Sequence, residues 1–207
     1  MTQPLDRTCR IPHVGELAVD HGEFWVENPF EMTQKGENLS AYERNRLYLN
    51  AGDFKFVNAS FASACDIDSD SRTAIGMDYD NDGDEDLLVG SVGGGSLRLF
   101  ENKFPNKNSI KVRLKGVDSN SLGIGSRLTF QLGDKKIVRD MFPANGFMGS
   151  GPAEIVLGLG KADMVDALEI RWPTGKVQKL ESIKANQMVE ITEGSDKLES
   201  SPFEASK

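Results

Sequence analysis

The sequence predicts a mainly β protein: a strand-loop-strand unit rich in acids, followed by a seven-stranded sandwich or open barrel. Three observations predict it. The 207 residues hold 21 Gly and 11 Phe but few Ala- or Leu-rich runs, a turn-dense composition that disfavours helical bundles. Short runs of alternating apolar residues recur at regular spacing between Gly, Asn, Asp and Pro, which is the period of half-buried strands. Finally, Trp172-Pro173-Thr174-Gly175 has Pro at the second and Gly at the fourth turn position, the chemistry of a type I turn between two strands. At 38% hydrophobic residues the chain can fill a substantial core.

In chain order, residues 1–45 form an N-terminal arm in which Pro4, Pro12 and Pro29 interrupt any long helix, so an irregular or short helical stretch is expected. A second segment, 46–104, opens with RLYLN and FKFVN around Ala51-Gly52-Asp53, a hairpin by alternation and turn residues. Thr73–Met77 then leads as a strand into an acidic loop, DLLVGSV leaves it, Gly93–Gly95 turns the chain and SLRLFEN returns. Turn residues in FPNKN close this segment. Over 105–193 seven strands are expected: SIKVRLKG, SRLTFQL, KKIVRDM, EIVLGLG, DALEIRW, KVQKL and QMVEIT. The remaining 194–207 is a polar tail expected to fray.

The formal charge of −8 is local. Between Asp66 and Asp86 nine acids face one base, Arg72, which is −9 + 1 = −8, so the other residues sum to zero. No basic footprint exists for a nucleic-acid backbone or an anionic lipid surface, and a cation is the natural partner. No run approaches the roughly 18 apolar residues of a membrane span. The N-terminal residues scatter acids through every window, so no signal peptide is read in this chain. Cys9 and Cys65 are spaced as neither a zinc knuckle nor a redox pair, and their disulfide state stays open.

The central motif is Asp78-Tyr79-Asp80-Asn81-Asp82-Gly83-Asp84-Glu85-Asp86. Carboxylates at the first, third, fifth and ninth positions and Gly at the sixth put hard oxygens on one side of a tight loop. Asp78, Asp80, Asp82 and Asp86 are the expected side-chain ligands, with the carbonyl of Asp84 as a backbone ligand. An all-oxygen set with flexible geometry favours Ca2+. Without a cation the like charges repel, so folding and metal binding are linked. An EF-hand would need Glu at the twelfth position, where Val89 stands, and helices on both sides. Asp66, Asp68 and Asp70 repeat the alternate spacing but lack the glycine, and a solvated loop is the plainer reading. His13 and His21 lie in the arm and suggest surface or packing roles. No catalytic constellation emerges, so the chain reads as a non-enzyme. The alternative is a magnesium-dependent transferase or hydrolase fragment using the acidic loop as its catalytic site.

These residues carry a resemblance. The stretch over 72–102, RTAIGMDYDNDGDEDLLVGSVGGGSLRLFEN, resembles an FG-GAP or VCBS-type repeat, the calcium-loop blade of a β-propeller, and NRLYLNAGDFKFVN resembles the outer strands of a preceding blade. VRLKGVDSNSLGIGSRL, IVLGLGKADMVDALEIRWPTGKV and ANQMVEITEG resemble the ASPIC/UnbV domain that follows such repeats in the cartilage acidic protein family. Ser126 stands where that pattern usually has Ala, and Leu122 near a usual larger polar residue. The resemblance implies a calcium-stabilised, non-catalytic interaction or adhesion module in an extracellular, periplasmic or cell-surface setting, with a protein or glycan ligand. A propeller needs roughly four or more blades to close, whereas this chain has one complete motif. Its open sheet edges therefore need a cover or self-association.

Overall fold

A computed structural model describes residues 3–4, 37–38, 44–67, 71–91, 96–105, 107–146 and 149–203. Every regular element among them is a strand: β1 (Gln3–Pro4), β2 (Glu37–Asn38), β3 (Tyr48–Gly52), β4 (Lys55–Asn58), β5 (Ser71–Met77), β6 (Asp86–Ser91), β7 (Arg98–Phe100), β8 (Asn108–Lys115), β9 (Arg127–Leu132), β10 (Lys135–Asp140), β11 (Ala144–Asn145), β12 (Gly149–Ser150), β13 (Glu154–Gly160), β14 (Met164–Arg171), β15 (Val177–Lys184), β16 (Gln187–Thr192) and β17 (Leu198–Pro202). The fold is mainly β, as the alternation and turn spacing predict. The chain divides into two compact units, 1–72 with 89–98, and 73–88 with 99–207.

In the first unit β3 and β4 form the expected antiparallel hairpin. Its turn residues Asp53 and Phe54 both have positive φ, 49° and 58°, as a primed hairpin turn requires of both central residues. Ser60, buried at the foot of the hairpin, accepts from the N–H of Leu47 and donates to Asn58.

The second unit is built on two four-stranded sheets, ordered β10-β9-β14-β15 and β13-β8-β16-β17, which is a sandwich rather than a barrel. All seven strands expected over 105–193 form. Pairing is antiparallel throughout except between β16 and β8, which run parallel. Ile110, Val112 and Leu114 from β8, Leu128 and Phe130 from β9, Val165, Leu168 and Ile170 from β14, and Val189 and Ile191 from β16 fill the space between the sheets. Strand alternation delivers them there, since every second side chain points to the same face.

Three details fix the edges of this core. Trp172 is buried, and its indole N–H donates to Gln178 Oε1 at 2.9 Å, which satisfies the one polar atom such a ring buries. The turn after it closes as predicted, with the N–H of Gly175 donating to the Trp172 carbonyl at 2.8 Å. Gly123 has φ +62°, and a Cβ there would lie 2.7 Å from the Cβ of Leu114. Only glycine meets both demands.

Glu193 anchors a loop. Its carboxylate accepts the N–H groups of Val117, Asp118 and Ser119 and the hydroxyls of Ser119 and Thr174. Burial pushes this carboxyl up, but the N–H groups of Ser119 and Val117 and the two hydroxyls outweigh it and hold the pKa at about 2. Beyond Glu193, the segment expected to fray supplies β17, which pairs along β16 from Leu198 to Pro202. Its side chains are mostly exposed, so the strand is held by backbone bonds and not by an apolar pattern that sequence could display.

Candidate metal centre

The acidic loop joins β5 to β6 and is shaped by its own carboxylates. Gly83 N–H donates to Asp78 Oδ2 at 3.1 Å, Asp82 N–H to Asp80 Oδ1 at 3.3 Å, and Asp84 N–H to Asp82 Oδ1 at 2.9 Å. Asp86 closes the loop, its Oδ2 accepting Tyr79 N–H at 2.9 Å and its Oδ1 Asn102 N–H at 2.7 Å. Short Asp side chains turn the backbone around themselves in this way. Two residues take left-handed backbone: Asn81 at φ 61° and Gly83 at φ +92°. A Cβ on Gly83 would also collide with the Phe203 ring and stand 2.7 Å from Ser109 Oγ.

Asp78, Asp80 and Asp86 converge, with one carboxylate oxygen from each lying within 4.8 Å of the others. Asp82 and Asp84 are half-buried beside this cluster and add no carboxylate oxygen to it. At that spacing each pair of charges repels by about 3 kcal/mol at an effective dielectric of about 20. The neighbouring carboxyls feel the same field. Burial pushes Asp82 up; the Asp84 N–H opposes it, and the charges of Asp80, Asp78 and Asp86 add to it. Burial likewise pushes Asp84 up, reinforced by Asp82, Asp78, Asp86 and Asp80.

Among the described residues, one cation is buried against the loop. Lys111, on β8, is 1% exposed, and its Nζ stands 2.5 Å from Asp78 Oδ2 and 3.1 Å from Asn81 Oδ1. The same Nζ lies 3.8 Å from Glu154 Oε1, and Glu154 Oε2 accepts from Arg113 at 2.8 Å. The charges alternate along Asp78, Lys111, Glu154 and Arg113. Strand β8 is thus buried on both faces: Ile110, Val112 and Leu114 enter the sandwich, while Ser109 and Lys111 face the loop. Sequence reading missed Lys111, because a lysine alternating with Ile110, Val112 and Leu114 reads as solvent-facing.

Lys111 does not finish the compensation. Asp78 is fully buried at its side chain, yet its Oδ1 has no hydrogen-bond partner among the described residues. A buried carboxylate oxygen without a donor costs free energy unless a cation or water supplies the partner. Three converging carboxylates, no His or Cys, and one orphan oxygen are the donor set of a hard cation.

The other singled-out residues play different parts. Asp66 takes hydrogen bonds from Arg44 at 3.2 Å and Arg46 at 3.4 Å, which accounts for its charge without a metal. Asp68, Asp70, His13, His21, Cys9 and Gly93–Gly95 lie outside the described residues. Cys65 is a buried free thiol.

Comparison with known proteins identifies one region. Residues 116–198 match the family model described as ASPIC and UnbV. That span runs from the loop held by Glu193 through β9 to β16 and into the start of β17. No curated protein matches the chain. Among the described residues no helix is long and apolar enough to cross a membrane.

Proposed function

We propose, from an ASPIC/UnbV domain over residues 116–198 joined to an acidic loop, that the chain is a calcium-stabilised, non-catalytic interaction module of an exported or surface protein. Segment 46–104 is then an FG-GAP or VCBS-type repeat. The observation that carries the calcium reading is the buried, unpartnered Oδ1 of Asp78 beside Asp80 and Asp86. Asp78, Asp80 and Asp86 hold the ion, with Asp82 and the Asp84 carbonyl completing the set. The bound ion supplies the positive charge that Lys111 alone does not. Its role is structural: it ties β5 to β6 and fixes the loop against Ser109 and Phe203. An extracellular, periplasmic or cell-surface setting, where calcium is plentiful, follows from the resemblance.

The test is a thermal melt in chelator, then with Ca2+ or Mg2+. At calcium about a hundredfold above Kd the linkage is worth about 2.7 kcal/mol, a rise of roughly 10 °C for a domain of this size. Asp80→Asn should abolish that rise and fold normally in chelator. A transition indifferent to both metals, or one raised by Mg2+ alone, would defeat the calcium reading.

A further inference from the structure

We propose that a cleft at one end of the β10-β9-β14-β15 sheet binds an acidic peptide through a single carboxylate and an apolar neighbour. The inference goes beyond the metal loop and does not depend on it. The cleft has a volume of about 540 Å³ and is walled by Arg127, Asp140, Phe142, Arg171, Pro173 and the backbone of Gly125 and Gly175.

Register places its charges. Asp140 is the cross-strand partner of Arg127, and Arg127 is the cross-strand partner of Arg171. Three side chains in one row therefore read carboxylate, guanidinium, guanidinium. Arg127 binds Asp140 bidentately, Nε to Oδ1 at 2.7 Å and Nη2 to Oδ2 at 3.0 Å. Arg171 is exposed, and no carboxylate among the described residues pairs with it. Like charges directly opposite each other on antiparallel strands destabilise the pair; Asp140 answers Arg127, and a second anion at Arg171 would relieve the repulsion that remains. The Arg127–Asp140 fork shows the chemistry that Arg171 can repeat with a second carboxylate.

The rest of the lining chooses among anions. Two guanidiniums and one carboxylate leave one positive charge, which matches a carboxylate rather than a dianionic phosphate. Beyond Arg127, Arg171 and Asp140, the lining side chains bring no further hydroxyl or amide to serve the several hydroxyls of a saccharide. Phe142, 69% exposed, and Pro173 offer instead an apolar wall for the side chain beside an Asp or Glu. The walls are preformed: Gly125 N–H donates to the Met141 carbonyl at 2.9 Å, Met141 N–H to the Ser126 carbonyl at 2.8 Å, and Trp172 N–H to the Lys176 carbonyl at 2.9 Å. Little ordering is then left for the ligand to impose.

The experiment is an NMR titration of the full chain with acetyl-Phe-Asp-Phe-amide, its Asn analogue, glucuronic acid and inorganic phosphate. The Asp peptide should shift the amides of Gly125, Arg171 and Gly175, and the Asn analogue should not. Arg171→Met should weaken binding by at least about tenfold, the worth of a charge-assisted hydrogen bond, while leaving the melting temperature unchanged or raised. Arg171→Lys should retain part of the affinity, having the charge without the fork. Equal shifts from the Asp and Asn peptides, tighter binding of glucuronic acid or phosphate, or full affinity in Arg171→Met would each overturn the proposal.

Discussion

Lys111→Met is the most informative single change in the second unit. The substitution keeps the length and apolar stem of the side chain and removes only the ammonium. That ammonium is 1% exposed and sits 2.5 Å from a carboxylate that is 0% exposed, so water cannot replace it. Breaking a buried pair from one side leaves the other charge stranded, which costs about 3–5 kcal/mol. Surface pairs are worth no more than about 1 kcal/mol, so the two regimes are well separated. At about 4 °C per kcal/mol for a domain of this size, the variant should melt roughly 12–20 °C below the parent in chelator. Urea unfolding followed by the fluorescence of the buried Trp172 gives the free energy directly. The double variant Lys111→Met/Asp78→Asn should recover more than half of the loss, because the stranded charge is gone. Calcium should stabilise the single variant more than the parent, since it restores to Asp78 the cation that the substitution removes. A loss below about 1 kcal/mol, or a double variant no better than the single one, would mean that the pair is solvated and the reasoning is wrong.

Two further outcomes rest on buried polar atoms. Ser126 is 0% exposed, and its Oγ has no partner among the described residues, so Ser126→Ala should raise stability by about 1–3 kcal/mol in urea unfolding, in line with the Ala that the family resemblance expects there. Glu193, whose pKa is lowered from 4.5 to about 2, contributes stability that is complete above pH 4.5 and is lost as pH falls towards 2; Glu193→Gln should flatten that part of an acid-unfolding profile and leave the profile above it parallel to the parent's.

What the sequence displays and what it hides divide along locality. The strands of the sandwich were legible because alternation and turn residues are properties of neighbouring positions, as in Ile110, Val112 and Leu114 or in Trp172-Pro173-Thr174-Gly175. The convergence of Asp78, Asp80 and Asp86 was legible for the same reason, being set within nine residues. Hidden were the contacts between distant segments. Lys111 looks exposed on its own strand and is buried only because the acidic loop lies over it. Phe203, in a stretch read as a polar tail, reaches Gly83 because β17 pairs along β16. Arg127 and Arg171 are far apart in sequence, and only the β9-β14 register makes them neighbours.

The double-faced burial of β8 also sets an order of events during synthesis. The acidic loop is complete in the growing chain when Asp86 has been added, but its internal counterion, Lys111, follows 25 residues later (111 − 86) and its aromatic neighbour Phe203 117 residues later (203 − 86). At ~5–20 residues per second the second interval is about 6–23 s. Until Lys111 has been added, about 1–5 s at that rate, the nascent loop lacks the ammonium that later pairs with Asp78, and a free cation can stand in its place. Calcium in the folding compartment would then act on the rate and yield of maturation as well as on the finished protein.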